Sequence, residues 1–531
     1  MSKKLDLPEP FNAAQFFVDR NVDAGRGASP AYWFGAGAIS YAELLTGVNR
    51  AGNLLRQLDV RREERVAILL PDSPEFAYAF WGALKIGAVA LPLNTFLSPT
   101  DYEYMLQHSA ATTLVVAADL LPKVEAVLGR APALRNILIT DGPPADPKHL
   151  PWSRLFGAAS AELAPAETSA DDMAFWLYTS GSTGRQKAAV HRHSDPAHTA
   201  ELGGRTAMGV NAQDITFCIP RLFSAIALGW VGYFPLHVGG AGLLTRERPD
   251  PAGMKALLRT YRPTVVVAPP TFYARMLRWA QEQNDTFDFK SVRLLMVGGE
   301  PFPPTLASEW RERFNTSLLD HLGSTEALHI YLATRPGQEA PGSVGRPVEG
   351  YDMKLVGDDG LEVPLGEIGT LWVRGESIGH YWKNRAANLK VFHGEWLDTG
   401  DKYHRDAEGN FFYVGRTDEL LRISGLWVVP TEVEEVLRGH PAVDDAALVG
   451  VPDEHGVLKG VAFIIPRDRR AVSDGLPREL LEFARAGLTH YKVPREIVFA
   501  DEFPRTATGK VQRFKLRERY RGSAGQPADR S

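Results

Sequence analysis

The sequence predicts an α/β fold: a large N-terminal domain of parallel or mixed sheets with helices, carrying a small β subdomain, followed by a small α+β C-terminal domain. Three observations predict it. With 531 residues, the chain is too long for one hydrophobic core, so two or more domains are expected. Short apolar runs alternate with helix-spaced segments along much of its length, the pattern of a parallel sheet. From about 341 to 415 glycines become frequent and the runs shorten, which reads as a separate β subdomain.

In chain order, residues 40–58 place Leu44, Leu45, Val48, Leu54 and Leu55 on one helical face. Residues 66–70 form a strand, 74–84 a helix and 88–93 a second strand, together a βαβ unit. Strands continue at 113–116, 137–139 and 173–177. The runs 265–268 and 294–297 are wholly apolar and end in Pro or Gly, as central strands do. Their C-terminal ends, Pro269-Pro270-Thr271 and Gly298-Gly299-Glu300, are where ligands gather in open α/β sheets. The β subdomain takes strands 353–356, 369–373 and 411–414. A polar, turn-like stretch places the domain boundary at 416–419. The N-terminal domain is therefore 1–416, with its β subdomain at about 341–415, and the C-terminal domain 417–522. Within the latter, 430–438 is a helix whose Thr431 and Glu434 approximate a capping box. Strands at 443–451, 460–466 and 496–500 and a helix at 478–488 complete it. Residues 523–531 are rich in small residues and proline and read as a flexible tail.

Composition excludes several classes. The chain is 44% hydrophobic and 23% charged, ordinary for a soluble globular protein. Its net charge is −5 with no basic block, so no nucleic-acid partner is expected. The single cysteine, Cys218, excludes an intramolecular disulfide and a cysteine-rich zinc site and reads as a small core residue. The N-terminus is charged without an apolar stretch behind it, so no signal peptide is expected. Lys85 and glycines interrupt the most apolar long run, 76–93, which reads as core helix and strand rather than a membrane span. A cytoplasmic protein with no membrane partner is expected.

Four stretches carry chemistry. Thr179-Ser180-Gly181-Ser182-Thr183-Gly184-Arg185-Gln186-Lys187 follows a buried strand. Its glycines admit a ligand close to the backbone, successive N–H groups can point at one anion, and hydroxyls and an ammonium add donors, so it reads as a polyphosphate grip. The spacing is not that of P-loop NTPases, because two residues rather than four separate Gly181 from Gly184 and Ala188 follows the lysine; the alternative is a polar surface turn. In Gly323-Ser324-Thr325-Glu326 a hydroxyl beside a carboxylate can hold a phosphate oxygen and a magnesium ion. In Asp398-Thr399-Gly400-Asp401 an acid can accept both ribose hydroxyls. In Arg505-Thr506-Ala507-Thr508-Gly509-Lys510 one cation sits on a flexible loop. Singly, Glu326 could cap a helix, Asp401 could fix a turn and Lys510 could be solvated.

In this order the four stretches, together with Gly415-Arg416-Thr417-Asp418, resemble the acyl-adenylate-forming superfamily of acyl-CoA and aryl-CoA ligases, peptide-synthetase adenylation domains and luciferases. The resemblance runs from Tyr41 to Leu516. Residues 323–330 and 506–515 look most like the benzoate–CoA ligase branch. The resemblance implies two steps: a carboxylate attacks the α-phosphate of ATP, giving an acyl-adenylate and pyrophosphate, and a thiol, coenzyme A, then displaces AMP. By position, Lys510 would bridge carboxylate and α-phosphate, Thr325 would bind that phosphate, and Glu326 would bind Mg2+. Ser182 and Thr183 would hold the outer phosphates within the grip formed by Thr179, Ser180, Gly181 and Gly184, with Lys187 assisting. Gly299, Glu300 and Pro301 would line adenine. Asp320, His321, Leu322, Gly323 and Ser324 would complete the nucleotide-binding set, Leu322 replacing a stacking aromatic; His321 could line the site or be exposed. Asp401 would take the ribose with Arg416. The small domain would rotate about Asp418, withdrawing Lys510 and bringing in Ser424 and Gly425 for the thiol arm.

The same resemblance builds the acid pocket from Phe223, Ser224, Ala225, Ile226 and Ala227 with Gly323, His329 and Ile330. Benzoate ligases usually carry Lys, Phe, Tyr and Gly where this chain has Arg221, Ser224, Ile226 and Ala227. Loss of aromatic bulk widens the pocket, and Ser224 offers a hydrogen bond to a ring substituent. A substituted or bicyclic aromatic acid, a hydroxylated benzoate or a naphthoate, is therefore expected over benzoate, unless a neighbouring helix fills the space. The loop reads Arg-Gln-Lys-Ala-Ala where the family usually has Arg-Pro-Lys-Gly-Val. His237 reads as structural. The Ala-, Arg-, Gly- and Pro-rich composition resembles proteins of high-GC bacteria, pointing to natural-product (antibiotic) assembly, with aromatic degradation as the rival setting. Loading of a carrier-protein thiol and a catalytically silent binding scaffold stay open. A monomer or homodimer is expected.

Overall fold

The structure is a computed structural model that describes residues 4–180, 186–417, 421–423, 426–452, 458–505 and 511–524. The chain forms two compact units. One comprises Met1–Lys354, Trp372–Thr399 and Arg405–Phe412, the other Leu355–Leu371, Gly400–His404 and Tyr413–Ser531. The glycine-rich stretch expected to form one β subdomain is thus shared between them.

The first unit holds two sheets. In one, the βαβ unit is present: strands Arg65–Leu69 and Val89–Pro92 run parallel, joined by the helix Pro74–Lys85. Thr113–Ala117 and Asn136–Thr140 extend it on one side, again parallel. On the other side lies Met173–Ser180, paired antiparallel with Gln186–Arg192, which in turn pairs antiparallel with the two-residue strand His380–Tyr381. The helix Tyr41–Gln57 starts in a capping box: Ser40 N–H donates to Glu43 Oε2 at 2.8 Å and Glu43 N–H to Ser40 Oγ at 3.2 Å. These exchanges satisfy two of the four free N–H groups at a helix start. Leu69, Leu91, Leu114, Val116, Trp176 and Val190 pack with Tyr102, Met105 and Leu106 of the helix Pro99–Ser109 into one core.

The second sheet centres on Val265–Ala268, flanked in parallel by Ile215–Cys218 and Leu294–Val297, with Leu318–Gly323 beyond. Tyr273, Met276 and Trp310 from the covering helices fill its core. Cys218 is buried there, and burial pushes its thiol well up. The register aligns Ala268 with Val297 and Val297 with Asp320, so the segments following three neighbouring strands leave one edge together. That edge is the ligand-binding end of such a sheet. Leu318–Gly323 then turns back antiparallel through Ile330–Ala333, which pairs with Ser343–Pro347. At the last pairing Gly345 has φ +102°, and a Cβ there would lie 2.1 Å from the carbonyl of Ala333. Gly345→Ala is expected to lose at least about 3 kcal/mol, from a strained φ plus backbone displacement, read as a fall in thermal midpoint.

In the second unit Val443–Pro452 and Leu458–Pro466 pair antiparallel, and Glu496–Phe499 joins in parallel. Helices Pro430–Arg438 and Leu476–Gly487 cover one face through Val433, Leu437, Leu480 and Ala484, and Phe503 and Leu516 cover the other. The capping box expected at Thr431 and Glu434 does not form: the helix is capped at Val429 without a side-chain bond. Glu434 is instead buried, accepting Leu448 N–H at 2.8 Å and the Arg513 guanidinium at 2.8 Å. A buried carboxylate needs such charged and N–H donors.

Candidate active site

The Thr325–Glu326 turn follows directly from the strand Leu318–Gly323. Three successive backbone carbonyls each have a donor. His191 Nε2 lies 2.8 Å from Thr325 O, Gly379 N–H donates to Glu326 O at 2.9 Å, and Ser377 Oγ donates to Ala327 O at 2.8 Å. Tyr351 O–H pairs with Ser377 Oγ at 2.6 Å. Carbonyls held at three consecutive residues fix the backbone from which Thr325 and Glu326 project, part of the preorganisation a charge-handling site needs.

His191 is itself fixed. Its Nδ1 lies 3.3 Å from Asp195 Oδ2, both side chains are fully buried, and Asp195 also accepts Arg192 N–H at 2.9 Å. Burial alone would raise the Asp195 carboxyl, but the His191 bond and the Arg192 charge hold it below the usual carboxylate range. Both ring nitrogens of His191 face acceptors, so the imidazole is clamped in plane.

Lys187 sits near the start of the strand Gln186–Arg192, opposite Thr179 in an antiparallel register. The two strands on either side of the polyphosphate stretch thus pair antiparallel. Thr179 and Ser180 end the incoming strand, while Gly181, Ser182, Thr183 and Gly184 lie outside the described residues. The Lys187 ammonium stands 4.8 Å from the ring centre of Tyr381, whose hydroxyl donates to Glu326 Oε1 at 2.5 Å. Lys187, Glu326 and Thr325, singled out separately from the sequence, are thus brought together.

At the strand edge, Gly299 takes φ +87°, and Glu300 and Pro301 follow it. Gly298 lies so close to His321 that a Cβ would meet the ring at 2.7 Å. His321 is buried rather than exposed and accepts from Trp230 Nε1 at 3.3 Å. Burial lowers its pKa to about 4, against a backbone contact at Val297 that raises it. Burial raises the Asp320 carboxyl well above the usual range, the His321 N–H offsetting only part of this.

The acid-pocket residues also converge. The His329 ring packs over Gly229, where a Cβ would meet it at 2.0 Å, and the His329 backbone carbonyl lies against Gly323. His329 Nε2 lies 3.3 Å from Ile226 O, and its Nδ1 is buried with no hydrogen-bond partner among the described residues. Burial and the neighbouring His321 lower its pKa to about 3 despite the Ile226 carbonyl, so the ring is neutral. With Nε2 donating, Nδ1 carries the lone pair. Ser224 caps the short helix Ala225–Ala227, and its O–H donates to Arg221 O at 2.7 Å. Its oxygen already accepts Ala227 N–H at 3.5 Å, so the hydrogen bond expected of Ser224 can only be a second one that it accepts. The Arg221 guanidinium faces Thr245, Arg246 and the buried Asp72, the last at 3.6 Å. Phe223 meets Phe96 edge-on at 6.1 Å. His237 is structural, as expected, bonded to Glu201 at 2.9 Å and stacked on Phe16.

In the second unit, Arg416 Nη1 stands 3.3 Å from Asp401 Oδ1, and Thr417 N–H closes on Gly400 O at 2.8 Å. Asp418, Ser424, Gly425 and Lys510 lie outside the described residues. The segment bearing Lys510 is bracketed by an Arg505–Val511 bridge, an Arg505–Asp445 ion pair at 2.6 Å and the Arg513–Glu434 pair.

Among the described residues no group of three or more His, Cys, Asp or Glu could hold a metal ion. A single carboxylate beside a threonine hydroxyl fits Mg2+, which binds through one or two carboxylates and keeps waters and substrate phosphates; it would arrive on ATP rather than in a protein cage. No helix of the described residues is long and apolar enough to cross a membrane.

The AMP-binding enzyme family matches residues 18–382, and the AMP-binding enzyme C-terminal domain matches 432–510. The chain belongs to this adenylate-forming family. It is 40% identical to a benzoate–CoA ligase of Thauera aromatica, covering 97% of each chain. It is 39% identical to a 4-hydroxybenzoate–CoA/benzoate–CoA ligase of Rhodopseudomonas palustris, over 96% of this chain and 94% of the relative. Its fold matches an anthranilate CoA ligase in complex with anthranoyl-AMP, with TM-score 0.90, 36% identity, and 98% and 99% of the two chains covered. A benzoate CoA ligase of Burkholderia xenovorans matches with TM-score 0.83 and 38% identity, over 96% of this chain and all of the other. Within the family, the chain is a benzoate–CoA-ligase-like aryl-CoA ligase, an AMP-forming enzyme.

Proposed function

We propose that the acid is a substituted or bicyclic aromatic carboxylate whose substituent donates a hydrogen bond, such as a hydroxyl or an amine. The observation that supports this most is His329 Nδ1, a buried acceptor with no hydrogen-bond partner among the described residues, its Nε2 proton facing Ile226 O; Ser224 Oγ, which already accepts Ala227 N–H, can accept one bond more. A buried acceptor left unmatched is costly, so a site of this kind rejects an acid lacking the donor far more strongly than one lacking a methylene. Absence of aromatic side chains at Ser224 and Ile226 supports a wider ring system in the same place.

In the reaction, the acid carboxylate attacks the α-phosphate of ATP, pyrophosphate leaves, and the coenzyme A thiol then displaces AMP. Lys510 neutralises the charge shared by carboxylate and α-phosphate, Thr325 binds that phosphate, and Lys187 with the polyphosphate stretch takes the outer phosphates. Glu326 would hold Mg2+, which when bound would supply further charge neutralisation at the phosphates. Asp401, oriented by Arg416, accepts the ribose hydroxyls, and Asp320 lines the nucleotide. The setting is a cytoplasmic one, as a monomer or homodimer, in the assembly of a natural product such as an antibiotic.

Turnover of benzoate, hydroxy- and aminobenzoates, chlorobenzoates and hydroxynaphthoates tests the substrate. The hydroxy and amino acids are expected to exceed benzoate in kcat/KM by about tenfold or more. Tight saturation by benzoate, with no gain from any donor-bearing acid, would contradict the proposal.

A further inference from the structure

We infer that Tyr381 is a positioning residue that couples the metal-binding carboxylate, Glu326, to the phosphate-loop lysine, Lys187; the inference rests on the roles proposed above for those two residues. The strand His380–Tyr381 pairs antiparallel with Gln186–Arg192, with Tyr381 opposite Ala189. Lys187 is then the diagonal neighbour on the same face, within reach of a long side chain and an aromatic ring. The ammonium accordingly lies 4.8 Å from the ring centre, a cation–π distance.

At the other end of the same side chain, the hydroxyl donates to Glu326 Oε1 at 2.5 Å. The tyrosine is 3% exposed, and Asn388 grips its backbone on both sides, accepting its N–H at 2.8 Å and donating to its carbonyl at 2.8 Å. Two residues earlier, Gly379 N–H holds the Glu326 carbonyl, and a Cβ at Gly379 would strike Val190 O at 2.2 Å. Residues 379–381 therefore hold Glu326 at its backbone carbonyl and at one carboxylate oxygen, which narrows the directions open to the second. Partners that orient a ligating carboxylate commonly govern metal affinity as strongly as the ligand does.

The test uses two variants of the full chain and two readouts. Tyr381→Phe removes the O–H and keeps the ring; Tyr381→Leu removes both. The first readout is the rise in thermal midpoint caused by ATP alone and by ATP with Mg2+. The second is the half-saturating Mg2+ for pyrophosphate–ATP exchange, set against conversion of supplied aryl-adenylate and coenzyme A. Tyr381→Phe is expected to melt near the wild-type temperature, keep the ATP-alone shift and lose most of the Mg2+ increment. Its half-saturating Mg2+ should rise about tenfold, with adenylate conversion unchanged within about twofold. Tyr381→Leu should also lose the ATP-alone shift, to the level of Lys187→Met. An unchanged Mg2+ increment and half-saturation in Tyr381→Phe, or equal loss of both half-reactions, would overturn the inference. A wild-type chain with no Mg2+ increment would overturn the metal role of Glu326 itself, and the inference with it.

Discussion

Replacing Lys510 by alanine is expected to lower aryl-adenylate formation by about two to three orders of magnitude while leaving thioester formation from supplied aryl-adenylate within about twofold of wild type. The asymmetry follows from where charge develops. In the first step, negative charge gathers on a phosphorus attacked by an anion, and only a cation placed between the two can offset it. In the second step a thiol attacks a neutral carbonyl carbon and AMP leaves; the ammonium has no comparable charge to meet. Outside the Lys510 segment, Arg505 bridges to Val511 and Arg513 pairs with the buried Glu434. Pyrophosphate exchange and single-turnover thioester formation separate the steps. Equal loss of both would undo the division of labour assigned to the small domain.

Acid should destabilise the enzyme steeply, because three histidines are buried uncharged. Burial lowers His193 and His321 to about 4 and His329 to about 3. His193 accepts Ala13 N–H at 3.1 Å through Nδ1, which requires a lone pair there; His329 has the stacked His321 as its neighbour. In the unfolded chain each takes a proton near pH 6.5. Between the folded and unfolded values the unfolded state binds more protons, so stability rises with pH and is lost as pH falls from 6.5 toward 4. At about 1.4 kcal/mol per pH unit for each group, the three together account for roughly 6 kcal/mol lost by pH 5, comparable with the whole stability of a domain. Thermal midpoints between pH 7.5 and 5 should fall with a slope approaching three protons, and His321→Asn should reduce that slope by one. A flat midpoint over this range would mean that the rings take up protons in the native chain as readily as in the unfolded one.

Much of the fold was legible in the sequence because its strands are short apolar runs with sharp ends. Residues 265–268 and 294–297 were placed to the residue, and their C-terminal ends do converge at one edge. The strand pair carrying Lys187 also had a signal: too few residues separate Ser180 from Gln186 for a parallel crossover, so the pairing had to be antiparallel. What stayed hidden depends on contacts far apart in the chain. Tyr381 lies 55 residues from Glu326, and His191 lies 134 residues from Thr325; no local pattern joins them. Glu434 shows the opposite failure. A local rule made it a capping residue, but its carboxylate is drawn into the core by Arg513, 79 residues away, since a charge-assisted pair outweighs a surface cap. Ser224 lay within a recognised pocket segment, yet only the backbone geometry reveals that Arg221 O takes its proton.

The most direct measurement is AMP release together with thioester formation in ATP, Mg2+ and coenzyme A, across benzoates, salicylates, aminobenzoates, naphthoates and fatty acids. Stoichiometric aryl-CoA and AMP from aryl acids alone, with donor-bearing acids fastest, is the predicted result. Adenylate accumulation without consumption of coenzyme A, or no turnover of any aryl acid, would contradict it.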